Sequence, residues 1–236
     1  MNSSLFKSIL VASTLLMIAT SSNTVMAQQS SPTFKFSLFK IDNFLISKTI
    51  SLDADFAAAN PGLEIPAPFR IAIPEQNGIT PLYNVGDGSN GEILKISFTT
   101  GNRETPISER KLVENIRFIA MTLPLVDQTQ RLDNLADLVR TQIFPMATNG
   151  YQDIQYVGAK ASTFGDLVVL EAVGQYIDPS IGLMLVHIVG YPNPNDINSV
   201  FAVSNIVADM FDFSSFDDLG FTGGGRTLSS FEYLNK

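Results

Sequence analysis

The chain has 236 residues and a formal net charge of −8; only 16% of its residues are charged, and none is cysteine. Without cysteine the protein forms no disulfide and carries no lipid-acylated cysteine, so its hydrophobic core must supply its stability. An acidic chain repels nucleic acid and anionic membrane surfaces, and we therefore expect no nucleic-acid partner. The low share of charged residues leaves room for exposed apolar area, which a binding surface would need.

Residues 1–27 have the pattern of an export signal. Lys7 is its basic residue, Ile9–Ala19 is its apolar stretch, and Val25-Met26-Ala27 is typical of a cleavage site. That stretch is too short to span a bilayer, and we expect no stable membrane insertion elsewhere. The alternative is a peripheral N-terminal anchor that is retained. We predict a cleaved signal peptide, 1–27, followed by a single domain, 28–236, that is periplasmic or secreted.

Two long apolar runs, Leu167–Ile177 and Leu183–Tyr191, flank a turn that contains Pro179 and Gly182. Val, Leu, Ile and Tyr dominate both runs, which is typical of strands. Asp-Pro followed by glycine is typical of a short hairpin turn. Because each run is apolar on both faces over most of its length, we predict that this hairpin forms the centre of a sheet.

Other strands follow from alternation of apolar and polar residues and from the turns that bound them. Residues 199–207 can be a strand or part of a helix over 197–213, and we favour a strand followed by a short turn. Residues 220–226 predict a glycine-rich loop before a short closing element. The remaining strands are predicted at Phe34–Ile41, Phe69–Ile73, Ile93–Thr99 and Tyr151–Ala161.

Two helices are expected in the middle of the chain. In Asp127–Phe144, Asp127 and Gln130 form an acidic capping box, apolar residues repeat at helical spacing, and Pro145 should end the helix. Before it, a helical stripe of apolar residues follows Pro106, although Ile116–Leu123 would also serve as a strand. The stripe consists of Leu112, Ile116, Ile119 and Leu123.

The predicted elements define a fold class. Short connections between strands imply antiparallel pairing, and helices that are segregated in the sequence imply an α+β arrangement. We therefore predict an α+β domain that has a single, mostly antiparallel sheet of six or seven strands. Two main helices should pack on this sheet.

His187 is the chain's one histidine, which excludes sites that need two imidazoles, and no cysteine can substitute. Pairing Ile177 with Leu183 around the turn places Glu171 diagonal to His187 on the same face, so the two can touch. Such a pair can exchange protons, but the sequence places no hydroxyl nucleophile beside it. Glu171, Gln175 and His187 are the candidate ligand-binding cluster; the alternative is a structural cross-strand pair. No catalytic residue, metal ligand or cofactor is predicted.

The C-terminal segment combines aromatic rings with charged residues. The three glycines before Arg226 could bring backbone amides to an anion. A phosphate loop would continue into a helix with Lys-Ser or Lys-Thr, which is missing, so a flexible connection is preferred. The aromatic residues could contact a partner or form a lid over one end of the sheet. The candidate partner-binding residues are Phe211, Phe213, Phe216, Phe221 and Arg226.

The order of elements resembles that of the PsbP/Mog1-like family of small α+β domains. The resemblance is carried by the proline-flanked Ile65–Ile73, the helix Asp127–Phe144 and the consecutive strands of Tyr151–Tyr191. The closing segment, in which Ser230-Phe231 is similar to the common ending of the family, adds to it. The resemblance covers most of 28–236. It implies a non-catalytic binding or assembly role in exported or lumenal proteins, with no catalytic residues to transfer.

Together these observations predict a non-enzymatic exported protein that binds a protein partner or a small apolar ligand. Its sheet face or its Phe-rich C-terminal segment would form the binding surface, and the segment would then need a contiguous exposed apolar patch. The alternative is a hydrolase-like enzyme that uses His187 and Glu171. That alternative requires His187 to lie in an open cleft, with a hydroxyl nucleophile within hydrogen-bonding distance.

Overall fold

A computed structural model describes residues 45–75, 78–213 and 215–234 of the chain. The predicted signal peptide, 1–27, and the predicted strand Phe34–Ile41 lie outside these residues. The described part is an α+β fold with two antiparallel sheets. Its strands are β1 (Leu45–Leu52), β2 (Phe69–Glu75), β3 (Ile79–Val85), β4 (Glu92–Thr100), β5 (Leu112–Thr122), β6 (Gln152–Phe164), β7 (Leu167–Asp178), β8 (Gly182–Tyr191), β9 (Asn198–Val207) and β10 (Glu232–Tyr233). Its helices are α1 (Ala54–Ala59), α2 (Gln128–Leu138), α3 (Phe144–Ala147) and α4 (Gly223–Ser229).

Seven strands form the larger sheet in the order β3-β4-β5-β9-β8-β7-β6. The predicted hairpin is confirmed as β7 and β8, with Ile177 opposite Leu183 and Val173 opposite His187. It does not lie at the centre of the sheet, because β9 is the middle strand. The preference for a strand over 199–207 is therefore confirmed. Most of β9 is buried on both faces, which is why its sequence fits a strand or a helix equally well.

The predicted α+β class and the antiparallel sheet of six or seven strands are confirmed, but this sheet is not the only one among the described residues, because β1, β2 and β10 form a separate three-stranded sheet. In β2, alternate residues Phe69, Ile71 and Ile73 are buried in the core between the two sheets. β10 has only two residues and pairs with Arg70 and Phe69 of β2, which is too short a strand for a sequence pattern to reveal.

The helix predicted after Pro106 is also wrong, and the alternative, a strand over Ile116–Leu123, is confirmed as part of β5. Only a 3₁₀ turn, Ile107–Glu109, follows that proline, and β5 continues as an 11-residue strand between β4 and β9. Ile116 and Phe118 are buried in the core on one face, whereas Ile119 packs against the core on the other. A strand with apolar residues on both faces can mimic a helical stripe, because positions four apart lie on the same face in both structures.

Helix α2 begins as predicted: the side chain of Asp127 accepts a hydrogen bond from the backbone N–H of Gln130. Pro145 does not end the helical segment, since a five-residue π-helical stretch, Val139–Ile143, leads into α3. Pro145 lies in the first turn of α3, where a missing N–H costs little. These three consecutive parts, residues 128–147, are called the helical segment. It packs on the larger sheet and forms a second core with it.

Two glycines allow the helical segment to approach β7 and β8 closely. A Cβ atom on Gly190 would lie 2.3 Å from Leu135 Cδ2, and one on Gly174 would lie 2.1 Å from a ring carbon of Phe144. Any side chain at these two positions would therefore push the helices away from the sheet. No helix among the described residues is long and apolar enough to cross a membrane.

A buried guanidinium ties α2 to the loop between β8 and β9. Arg131 is almost fully buried and donates hydrogen bonds to the backbone carbonyls of Asn193 and Asp196. It also donates to Ser199 Oγ at 3.3 Å. A buried charge needs such partners to offset the loss of water, so this contact fixes the proline-containing loop against the helix.

Candidate functional site

Four buried polar side chains form a row across the larger sheet, on the face that meets the smaller sheet. They are Glu171 on β7, His187 on β8, Ser204 on β9 and Glu114 on β5. Ser204 lies directly opposite His187, and it faces Ile116, two residues from Glu114, on the other side. The row thus places two carboxyl groups, an imidazole and a hydroxyl on neighbouring strands inside the protein.

Glu171 and His187 touch, as the hairpin register predicted. His187 Nε2 lies 2.9 Å from Glu171 Oε2. Burial favours the neutral form of Glu171, but hydrogen bonds with His187 and Ser162 and the nearby charge of Lys160 outweigh it and lower its pKa. The His187 ring is only 2% exposed, and its Nδ1 has no hydrogen-bond partner. Phe216 packs edge-on against it, with 6.1 Å between ring centroids.

Gln175, the third residue of the predicted ligand-binding cluster, has a different partner from Glu171 and His187. Gln175 donates to Gln155 Oε1 at 3.1 Å, and no hydrogen bond joins it to Glu171 or His187 among the described residues. Sequence reasoning missed Ser204, the hydroxyl beside His187. That hydroxyl donates to Glu114 Oε1 at 2.6 Å. The imidazole therefore lies in the core, with the adjacent hydroxyl directed to a carboxyl group.

Glu114 explains the glycine-rich sequence near the C-terminus. The flexible loop predicted for 220–226 is wrong, because the glycines form the first turn of α4. The N–H of Gly224 donates to Glu114 Oε2 at 2.8 Å, and Thr222 Oγ1 donates to Oε1 at 3.3 Å. A Cβ on Gly224 would lie 1.9 Å from Glu114 Oε1, so only glycine fits there. The anion that approaches these amides is the chain's own carboxyl group.

Burial has a large electrostatic effect on Glu114. Desolvation raises its pKa from 4.5 to about 7, although hydrogen bonds from Ser204, Gly224 and Thr222 favour the charged form. The group therefore titrates near neutral pH inside the core. The described residues contain no group of three or more histidine, cysteine or acidic residues arranged to hold a metal ion.

The five candidate partner-binding residues do not form one exposed patch. Phe211 and Phe213 are buried and stack on each other, with 5.3 Å between their ring centroids. Phe216 is half-buried above His187. Phe221 is 53% exposed, and the guanidinium carbon of Arg226 lies 5.6 Å from the centre of its ring. The segment therefore places two rings in the core and presents one ring to the surface.

An open cleft of about 510 Å³ lies on the opposite face of the larger sheet, beside the end of α3. Strands β5, β7, β8 and β9 contribute its floor, and the helical segment forms one wall. Met146, Tyr151 and Ile181 lie at this cleft and are among the large apolar side chains with substantial exposure. The ring of Tyr151 stacks on the ring of Tyr176, with 4.1 Å between the ring centroids. The cleft thus combines exposed apolar groups with a floor formed by the sheet.

The floor of the cleft carries a directed chain of hydrogen bonds. The hydroxyl of Tyr176 donates to Asn205 Oδ1 at 3.2 Å, and Asn205 Nδ2 donates to Asn115 Oδ1 at 3.3 Å. Burial, together with Tyr151 and Asp178, raises the pKa of Tyr176, so its phenol remains a neutral donor. This chain of bonds ends at the amide of Asn115.

Arg117 follows Asn115 on the same face of β5 and also lines the cleft. Its Nε lies 3.7 Å from Glu92 Oε2, which is longer than a hydrogen bond. Sequence reasoning missed this site because it interpreted the start of β5 as a helix. The available signal was the alternation of Asn115 and Arg117 with the buried Glu114, Ile116 and Phe118, which has the period of a strand.

No protein-family model matches the sequence, and no curated protein matches it. The fold is similar to the solved structure of cyanobacterial PsbP (CyanoP) from Synechocystis sp. PCC 6803, with a TM-score of 0.38 and 14% identity over 70% of this chain and 86% of that one. LpqN of Mycobacterium tuberculosis, described as involved in cell envelope biogenesis, matches with a TM-score of 0.41 and 14% identity over 79% and 90% of the two chains. The Ran-binding protein Mog1p of Saccharomyces cerevisiae matches with a TM-score of 0.40 and 8% identity over 79% and 96%.

PsbP and Mog1p are the proteins after which the family that the order of elements resembles is named. TM-scores below 0.5 and identities of 8–14% transfer neither a function nor a site residue to this chain.

Proposed function

We propose that this chain is a non-enzymatic exported protein whose cleft beside α3 binds a small, largely apolar ligand. The cleft carries the proposal: its volume of about 510 Å³ lies in the range of ligand-binding pockets, roughly 300–1,000 Å³. Three exposed apolar side chains, Met146, Tyr151 and Ile181, surround it. Covering such side chains is favourable because it removes apolar surface from water. Export rests on the signal-like pattern of residues 1–27.

The surroundings of His187 support a non-enzymatic role. A hydrolase that used His187 and Glu171 would need its substrate to reach the imidazole, which is almost completely buried. It would also need a free hydroxyl nucleophile, whereas the hydroxyl of Ser204 donates to Glu114. The pair is better explained as a means of satisfying polar groups within the core.

The test uses a naphthylamine dye whose fluorescence rises in apolar surroundings. We expect saturable binding to the wild-type protein and binding that is weaker by about tenfold or more in Ile181→Glu, since a buried aliphatic side chain contributes at least about 1.4 kcal/mol. Ile107→Glu is the matched control, because Ile107 is 76% exposed in the 3₁₀ turn and does not line the cleft. Equal weakening in both variants, or no saturable binding to the wild type, would refute the proposal.

Phe221 and Arg226 favour a second candidate, a protein partner. An exposed phenylalanine ring next to a guanidinium has the composition of interface hot spots, which are rich in aromatic residues and arginine. In an extract of the native envelope, a specific partner should be captured by the wild type and by Ile107→Ala but not by Phe221→Ala. Retention of every captured protein by Phe221→Ala would count against this surface.

A further inference from the structure

We propose that the ligand of the cleft is an alkyl carboxylate, with its carboxylate bound by Arg117 and Asn115 and its chain lying along the helical wall. This inference depends on the proposed binding of a small apolar ligand in the cleft and adds the chemical class of that ligand. It follows from the direction of the hydrogen bonds in the floor, the placement of two cations and the composition of the wall.

The hydrogen bonds of the floor leave a donor at the cleft. Tyr176 donates to Asn205, and Asn205 donates to the Oδ1 of Asn115. Because the side-chain oxygen of Asn115 accepts this hydrogen bond from Asn205, the two N–H groups of the same amide can donate to a ligand. Arg117, two residues further along β5, adds the donors of a guanidinium whose side chain is 48% exposed. Two neighbouring donor groups match the acceptor oxygens of a carboxylate.

Two cations beside the cleft favour an anion, and the cleft is also lined by one carboxylate, that of Asp178. Lys95 on β4 lies directly opposite Arg117 on β5, and like charges in such cross-strand positions destabilise a sheet. Glu92 offsets this repulsion only weakly, because its exposed pair with Arg117 has a separation of 3.7 Å. A bound carboxylate would supply a second negative charge beside Glu92, so that the two cations are balanced without any change in the fold. This is local charge complementarity on a chain whose net charge is −8.

Apolar side chains of the wall and the floor suit an alkyl chain. Ile143 and Met146 from the wall, and Met184 and Phe201 from the floor, line the same cleft as the donors. Methionine side chains are flexible and polarisable, so they adapt to a chain that has no fixed shape of its own. Met146 is 68% exposed and can fold over such a chain. The cleft is therefore amphipathic, because hydrogen-bond donors and aliphatic groups both line it.

Calorimetric titration at pH 8 with decanoate, decanol and decyltrimethylammonium tests the inference, with each amphiphile below its micelle-forming concentration. We expect decanoate to bind most tightly and to lose affinity as salt is added. Arg117→Met keeps much of the apolar stem but removes the charge. It should weaken decanoate binding by about tenfold or more and leave decanol binding unchanged.

Arg103→Met is the control, since Arg103 also pairs with a glutamate, Glu75 at 3.2 Å, but does not line the cleft. Equal affinities for decanoate and decanol, or equal effects of Arg117→Met on both, would overturn the carboxylate inference and leave the proposed function standing. Failure of all three amphiphiles to bind, decanol included, would refute the proposed function itself and the inference with it.

Discussion

Replacing Glu114 by glutamine tests how the buried polar row contributes to stability. Burial raises the pKa of this carboxyl group to about 7 in the folded protein, against an ordinary value of 4.5. A group whose pKa is raised on folding holds its proton more tightly in the folded chain than in the unfolded chain. Its contribution to stability is therefore complete below about pH 4.5 and is lost as the pH rises through about 7.

The size of the effect follows from the two pKa values. The difference between about 7 and 4.5 corresponds to about 3 kcal/mol, because one pKa unit is worth about 1.4 kcal/mol. Most of this loss falls between about pH 5 and pH 8. Glutamine cannot titrate, so Glu114→Gln should lack this part of the pH dependence while other titrating groups affect both proteins alike.

Urea unfolding at several pH values between about 5 and 8 gives the free energy of unfolding of both proteins. The chain contains no tryptophan, so circular dichroism of the sheets is the signal to follow. We expect the free energy of unfolding of the wild type minus that of Glu114→Gln to fall by about 2–3 kcal/mol from about pH 5 to pH 8. The free energy of unfolding of Glu114→Gln relative to that of the wild type should therefore be highest at about pH 8.

Glu109→Gln is the control because Glu109 is exposed in the 3₁₀ turn. The free energy of unfolding of this control should stay within about 0.5 kcal/mol of that of the wild type at every pH. A constant difference between the wild type and Glu114→Gln over the same range would refute the reasoning. It would mean that the hydrogen bonds to the carboxyl group balance its desolvation.

Two further substitutions test how α2 is held in place. Arg131→Met leaves buried carbonyl groups without a donor and should lower the free energy of unfolding by about 3 kcal/mol in urea titrations, whereas the exposed Arg140→Met should cost less than about 1 kcal/mol. Gly190→Ala places a methyl group 2.3 Å from Leu135 and should cost about 1–3 kcal/mol. Gly220→Ala, with open space around it, should cost clearly less, and similar losses at both glycines would contradict the close approach of the helix.

Local patterns predicted the elements whose determinants are close together in the sequence. The register of β7 and β8 follows from a short turn, and the contact between Glu171 and His187 follows from that register. The start of α2 at Asp127 likewise depends on a cap only three residues long. Such features are fixed by neighbours along the chain, so the sequence alone was sufficient to predict them.

The features that were mispredicted depend on residues far apart in the sequence. The partners of Glu114 are Ser204, Thr222 and Gly224, which lie about ninety or more positions away. A run of glycines has the composition of a loop. In the structure the carboxyl group of Glu114 packs against the first turn of α4, and this contact requires a residue without a side chain. The strand β5 was only the alternative to a helix for a related reason, because its two apolar faces become evident only when both layers are present.

Successive side chains of β5 lie on opposite faces of the larger sheet, so this strand contributes to both the core and the cleft. Glu114 points into the core, where three donors satisfy its carboxyl group. Asn115 and Arg117 lie at the cleft, where Glu92 is 3.7 Å from the guanidinium. Burial explains the first arrangement, since an unpaired carboxyl group in the core would be costly. The second arrangement is open to water, so its donors are accessible to the carboxylate that we propose as the ligand.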